Sequence, residues 1–186
     1  NILLFAREAM KALALVHAHG FIHQDITGGN IVLSLAGATV DTLAIAGVHV
    51  IDYGMGERLV DPFTPNNRVH EIAEHHGGAT PETYQVPAAS LPTHTYEHDV
   101  WQLMMHIASI IDIKIPELGD NSLRFANDAL ENVAVANIRE TPGKIALFLR
   151  EIAAIDNGAL RDMAVIFAHG LRVAPGERWP LMDILT

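Results

Sequence analysis

The sequence predicts a mainly α fold, a helical domain carrying one small β-hairpin near its front. Three observations predict it. Apolar residues recur at three- and four-residue spacing in the first 20 residues and again through most of the chain beyond residue 95. Two short β-branched runs, Ile31-Val32-Leu33 and Val48-His49-Val50-Ile51, stand apart from that rhythm. The chain has 186 residues, 49% of them apolar and 18% charged, enough for one domain with a buried core.

Residues 2–19 read as a helix, with Leu3, Ala6, Met10, Leu13 and Val16 on one face and Gly20 as its stop. The polar stretch FIHQDITGGN follows and leads into the two strands, which a Gly-, Ala- and Thr-rich loop joins as a hairpin. Residues 61–94 hold five prolines and little periodicity, so a long irregular segment is expected there, of the kind that usually carries function. From Tyr96 the helical pattern resumes. Val100, Leu103, Met104, Ile107 and Ile111 form an apolar face broad enough for a central, buried helix. A weaker helix is expected over 122–137. Thr141-Pro142 supplies a cap and first-turn proline for a helix to about Ile155, which Asn157-Gly158 ends. Leu160 to Ala168 begins another, and a last turn starts near Leu181.

Composition removes several classes of function. A formal charge of −10 does not suit a nucleic-acid binder, which needs a basic face. The absence of cysteine leaves no disulfide framework and no thiolate chemistry, which fits a cytoplasmic setting. No membrane span is expected, because Asp112 and Lys114 break the most apolar stretch, and no signal peptide is visible. The chain opens at Asn1 directly in a helix and reads as a piece of a longer protein. The 11 histidines raise a metal reading, but neither His75-His76 nor His17, His19 and His23 has convincing zinc spacing.

Five motifs occur in order. His23-Gln24-Asp25 is followed by Asn30; Asp52-Tyr53-Gly54 stands behind the hairpin; then come Thr80-Pro81-Glu82, Asp99-Val100-Trp101 and Arg178. Singly, each reads as turn chemistry or a structural polar residue. As an ordered set they resemble the protein kinase superfamily. The first is similar to the H-R-D-x-x-x-x-N catalytic loop, the second to D-F-G and the third to A-P-E. The last two are similar to the D-x-W of the central helix and to the late arginine that pairs with the A-P-E glutamate. The resemblance spans the whole chain and implies the C-terminal, helical lobe of a kinase catalytic domain, with the hairpin beside the catalytic loop.

That resemblance implies ATP and Mg²⁺ as cofactors, a protein substrate, and an N-lobe supplied by the full-length chain. It implies Asp25, Asn30 and Asp52 as the catalytic set, with Asn30 and Asp52 as metal ligands. Val32, Asn30, Asp52 and Thr27 would contact the nucleotide, Val32 as an apolar floor for adenine. The physical chemistry agrees, because phosphoryl transfer needs charge neutralisation and positioning more than covalent help. Asp52, at a strand end, is a hard oxygen ligand suited to Mg²⁺, and Asn30 offers a neutral carbonyl oxygen. An aspartate carboxylate is ionised near neutral pH, as a proton acceptor at position 25 must be. Gly54 permits a backbone reversal after Asp52. Glu82 with Arg178 is expected as a buried ion pair. Asp99 is expected to cap its helix and tie down the backbone near His23, with His23 and Tyr53 as packing residues.

Four positions depart from the family. Gln24 replaces the arginine that commonly meets a phosphorylated loop residue, which puts switching through a site such as Thr64 in doubt. Thr27 and His75 replace residues characteristic of Ser/Thr-specific members, so acceptor class stays open, with serine or threonine ahead of tyrosine. Met104 replaces a glycine usual in the central helix. The hairpin loop is also longer than the family needs. A glycine-rich loop and a strand lysine are not in this chain. Three functions follow for comparison: a protein kinase, a pseudokinase or binding module of the same fold, and a kinase-like small-molecule phosphotransferase.

Overall fold

A computed structural model describes residues 2–37, 39, 44–58, 95–111 and 141–185. The expectations for the 61–94 segment, the 122–137 helix, Thr64, His75, Glu82, Asp112 and Lys114 lie outside these residues.

Helix α1, Ile2–Ala18, buries Phe5, Ala6, Ala9, Met10, Leu13 and Ala14. Their three- and four-residue spacing makes one stripe, and Leu3 and Val16 from the expected face are only partly buried against it. Gly20, at φ 77°, ends the helix in the left-handed region that glycine adopts at little cost. Two short antiparallel ladders follow. Strand β1, Phe21–Ile22, pairs with β4, Glu57–Arg58. Strand β2, Ile31–Ala36, pairs with β3, Ala44–Val50. The hairpin is therefore longer than the β-branched runs alone indicate, and Ile51 lies beyond its second strand. An irregularity between Ser34 and Leu35 shifts the register, so that Ser34 faces Gly47 and Leu35 faces Ile45. The two-residue β1–β4 ladder was too short to leave a pattern in the sequence.

Helix α2, Tyr96–Ile110, forms the centre, with Val100, Trp101, Leu103, Met104 and Ile107 nearly inaccessible. Helices α3, Thr141–Ala154, and α4, Gly158–Gly170, pack against each other, and α4 also packs on α1 and α2. A single turn, α5, Leu181–Ile184, closes the core through Leu181. Helix α3 starts at Thr141 itself. Asn157 starts α4 where a stop for α3 is expected: its Oδ1 accepts from the amides of Ala159 and Leu160 at 3.0 and 3.4 Å. Asparagine serves either end of a helix, and here the two amides awaiting an acceptor decide it.

Met104 and Gly170 explain each other. A Cβ at position 170 would stand 2.3 Å from Met104 Cγ, so the methionine occupies space that only glycine leaves open. Among the described residues, no helix is long and apolar enough to cross a membrane.

Candidate functional site

The stretch from His23 to Asn30 has little regular structure, so its backbone groups need partners from elsewhere. Helix α2 supplies them through two side chains three residues apart. Asp99, fully buried, accepts from the amides of His23 and Gln24, each at 2.7 Å. Gln102 accepts from the Ile26 amide at 3.0 Å and donates to the Gln24 carbonyl at 3.0 Å. Four backbone groups are thereby satisfied, and Gln24 is held at φ 67°, a left-handed conformation that costs a β-carbon-bearing residue about 1 kcal/mol. His17 of α1 adds a third bond to Asp99, Nε2 to Oδ2 at 2.9 Å.

Asp99 thus ties down the loop, as expected, but it does not cap its helix: Thr95 occupies the cap position and Asp99 lies in the first turn. Burial alone would raise the Asp99 pKa. The bond from His17, the charge of that ring, the His23 amide and the charge of His98 outweigh it and hold the carboxyl below its ordinary 3.8.

His23 is fully buried and bonds in two directions. Its Nε2 donates to the Ile51 carbonyl at 2.9 Å, and its Nδ1 accepts from the Asp25 amide at 3.3 Å. One neutral tautomer satisfies both bonds. The ring therefore joins the backbone of Asp25 to the residue just before Asp52. The Ile51 amide in turn donates to the Asn30 carbonyl at 2.9 Å. Asp25, Asn30 and Asp52 consequently project from backbone that is bonded together.

Asn30 Nδ2 donates to the Asp25 carbonyl at 2.9 Å and to Asp25 Oδ2 at 2.8 Å. Both partners are acceptors, which fixes the orientation of the amide and leaves its Oδ1 as an acceptor without a hydrogen bond among the described residues. Asp25 and Asn30 are half-buried. Asp52 is exposed and sits at φ 59°, where its Oδ1 accepts from the Gly54 amide at 3.2 Å. The reversal expected at Gly54 falls on Asp52 instead, because a short polar side chain stabilises the left-handed conformation by bonding the backbone two residues on.

Thr27 is half-buried, and its carbonyl accepts from the Asn30 amide at 3.0 Å. Val32 is 42% exposed on β2, opposite His49. Tyr53 is 49% exposed, and its ring packs on the buried His23 with centroids 4.9 Å apart. Gly28 lies against His106, whose Cε1 would stand 2.8 Å from a Cβ at that position. Burial lowers the His106 pKa below its ordinary 6.5.

Arg178 is buried and donates to the carbonyls of Arg172, Val173 and Glu97 at 2.7, 3.1 and 2.9 Å. Its guanidinium lies 4.9 Å from the Trp101 ring centroid.

Among the described residues, no three His, Asp or Glu side chains converge as a metal site. The Asn30 and Asp52 side chains are hard oxygen donors of the chemical kind Mg²⁺ takes beside water and phosphate. Sequence reasoning missed Gln102 and His17. The available signal for Gln102 was a glutamine at helical spacing from His98 and Asp99, a polar face on an otherwise apolar helix.

No family model matches the chain. Over 183 residues it is 26% identical to the serine/threonine-protein kinase PknB of Mycolicibacterium smegmatis, an alignment that covers 96% of this chain and 27% of that relative. The chain therefore has a distant kinase-like relationship that extends over nearly all of its length while spanning about a quarter of the relative's.

Proposed function

We propose that this chain is the catalytic-loop and substrate-binding lobe of an ATP- and Mg²⁺-dependent protein kinase, which transfers the γ-phosphate to a protein hydroxyl. The observation that carries the reading is the closed Asp25–Asn30 pair, bonded through Ile51 to the backbone that bears Asp52. Similarity to a serine/threonine kinase over nearly the whole chain supports it.

Asp25 accepts the proton of the substrate hydroxyl and orients it. Asn30 holds the carboxylate in place from one side of its amide and offers Oδ1 to a cation from the other. Asp52 is exposed and, among the described residues, bonded only at Oδ1 to Gly54, which leaves Oδ2 for a cation. Mg²⁺, when bound, would neutralise charge on the phosphates. Val32 offers apolar surface for the adenine, and Thr27 stands beside the transferred phosphate. The N-lobe comes from the rest of the full-length protein.

Gln24 favours a second reading, a pseudokinase that binds nucleotide without turnover. Its backbone is fixed by Asp99 and Gln102, and its buried side chain reaches Glu57 Oε2 at 3.5 Å, so the position carries no cation for a phosphorylated loop residue. The full-length protein should transfer phosphate from ATP to a general protein acceptor such as casein, and not to aminoglycoside- or choline-like acceptors. Mg²⁺-dependent nucleotide binding without transfer to either class would select the pseudokinase. Transfer only to the small acceptors would select the small-molecule phosphotransferase.

A further inference from the structure

A cavity lies behind the anchor that holds the 23–30 loop. It is a half-open cavity of about 190 Å³ between the end of α1, the first turn of α2 and the start of α5. Ala14, Val100 and Leu181 give it an apolar wall, and His17, Tyr96 and Glu97 are its polar members. A dry cavity of about 150 Å³ holds a benzene-sized molecule, so one aromatic ring fits this volume. Among the described residues no lysine or arginine lines it, and the Glu97 carboxylate has no hydrogen-bond or ion-pair partner. The Tyr96 ring, 4.6 Å from that of His17, adds an aromatic face that favours a cation.

We propose that this cavity binds a small aromatic amine, its ring against the apolar wall and its ammonium at Glu97, and that occupancy is transmitted to the 23–30 loop through His17. The His17 ring is both a wall of the cavity and the donor to Asp99 Oδ2 at 2.9 Å. The same carboxylate holds the amides of His23 and Gln24 at 2.7 Å. An occupant that repositions the imidazole therefore acts on the carboxylate and on both amides, a coupling carried by direct contacts. The site needs no nucleotide and stands apart from the phosphotransfer reading.

Benzylamine titrated into the full chain and followed by ¹H–¹⁵N NMR tests the proposal. Saturable shifts are expected, with a Kd on the order of 1 mM. The amides of Tyr96 and Leu181 should move, and with them those of His23 and Gln24. Ala18→Trp, at the exposed end of α1 on the cavity mouth, should abolish binding. Glu97→Gln should weaken it about fivefold. His17→Phe retains a ring in the wall and removes the donor, so binding should persist while the His23 and Gln24 shifts disappear. Absence of saturable shifts in the unsubstituted chain would overturn the site, as would affinity unchanged by both Ala18→Trp and Glu97→Gln. Benzyl alcohol binding as tightly as benzylamine would overturn the cationic ligand class, and loop shifts that survive His17→Phe would overturn the coupling.

Discussion

The 23–30 loop and the turn at Asp52 each hold one residue at positive φ, yet they are built in opposite ways. Gln24 is buried, and its backbone is bonded on both sides by Asp99 and Gln102. Asp52 is exposed, and among the described residues its carboxylate bonds only the Gly54 amide. In the first region side chains of α2 bond four backbone groups of the loop, so that part of its geometry is set by the protein itself. In the second the backbone is shaped locally and an oxygen is left for something from outside. The proposed phosphotransfer, which needs a rigidly held proton acceptor and room for a cation, would use both.

The largest expected effect breaks the anchored side. Asp99→Ala leaves two buried amides and His17 without their acceptor and should cost about 3–5 kcal/mol in urea unfolding. Asp52→Ala is its counterpart and should cost less than about 1 kcal/mol, because the site is exposed and loses one hydrogen bond. If the two substitutions cost the same, the contrast between the regions is wrong.

Between these extremes lies the seating of α2. Gly170→Ala forces a Cβ against Met104 and should destabilise by about 1–3 kcal/mol. Adding Met104→Ala should recover part of that loss, and purely additive costs would show that the two residues do not share the space.

Acid should loosen the loop in two stages. The folded pKa of His106 lies below 6.5, so the unfolded chain takes up its proton first. That contribution to stability is present above pH 6.5 and is lost as pH falls through the folded value. Asp99, whose folded pKa is below 3.8, contributes stability above that pH and loses it as pH falls through its own folded value. Unfolding measured across pH should therefore weaken first below 6.5, and His106→Phe should remove that first stage only.

Much of this could be read from sequence because helix periodicity and ordered motifs are local patterns. The face of α1 and the central helix follow from such patterns, whereas Asp25, Asn30 and Asp52 are singled out by the resemblance of the ordered motifs to the protein kinase superfamily. What stayed hidden depends on contacts between distant residues or on competing turn chemistry. Gly170 makes room for Met104, but nothing near either residue announces it. Gln102 looks like one polar residue on a helix until its amide is seen to serve Gln24 and Ile26. Asn157 can stop one helix or start the next, and Asp52 rather than Gly54 takes the left-handed conformation. In both cases the nearest unsatisfied amides decided the outcome.

The most direct test of the proposed phosphotransfer compares the full-length protein with its Asp25→Asn variant, an isosteric change that keeps an acceptor for the Asn30 amide. Transfer from Mg²⁺-ATP to a protein acceptor should fall by about 10³-fold, while unfolding in urea changes by less than about 1 kcal/mol. A variant that transfers phosphate at close to the unsubstituted rate would contradict the assignment of Asp25 as the proton acceptor, and with it the account of this site.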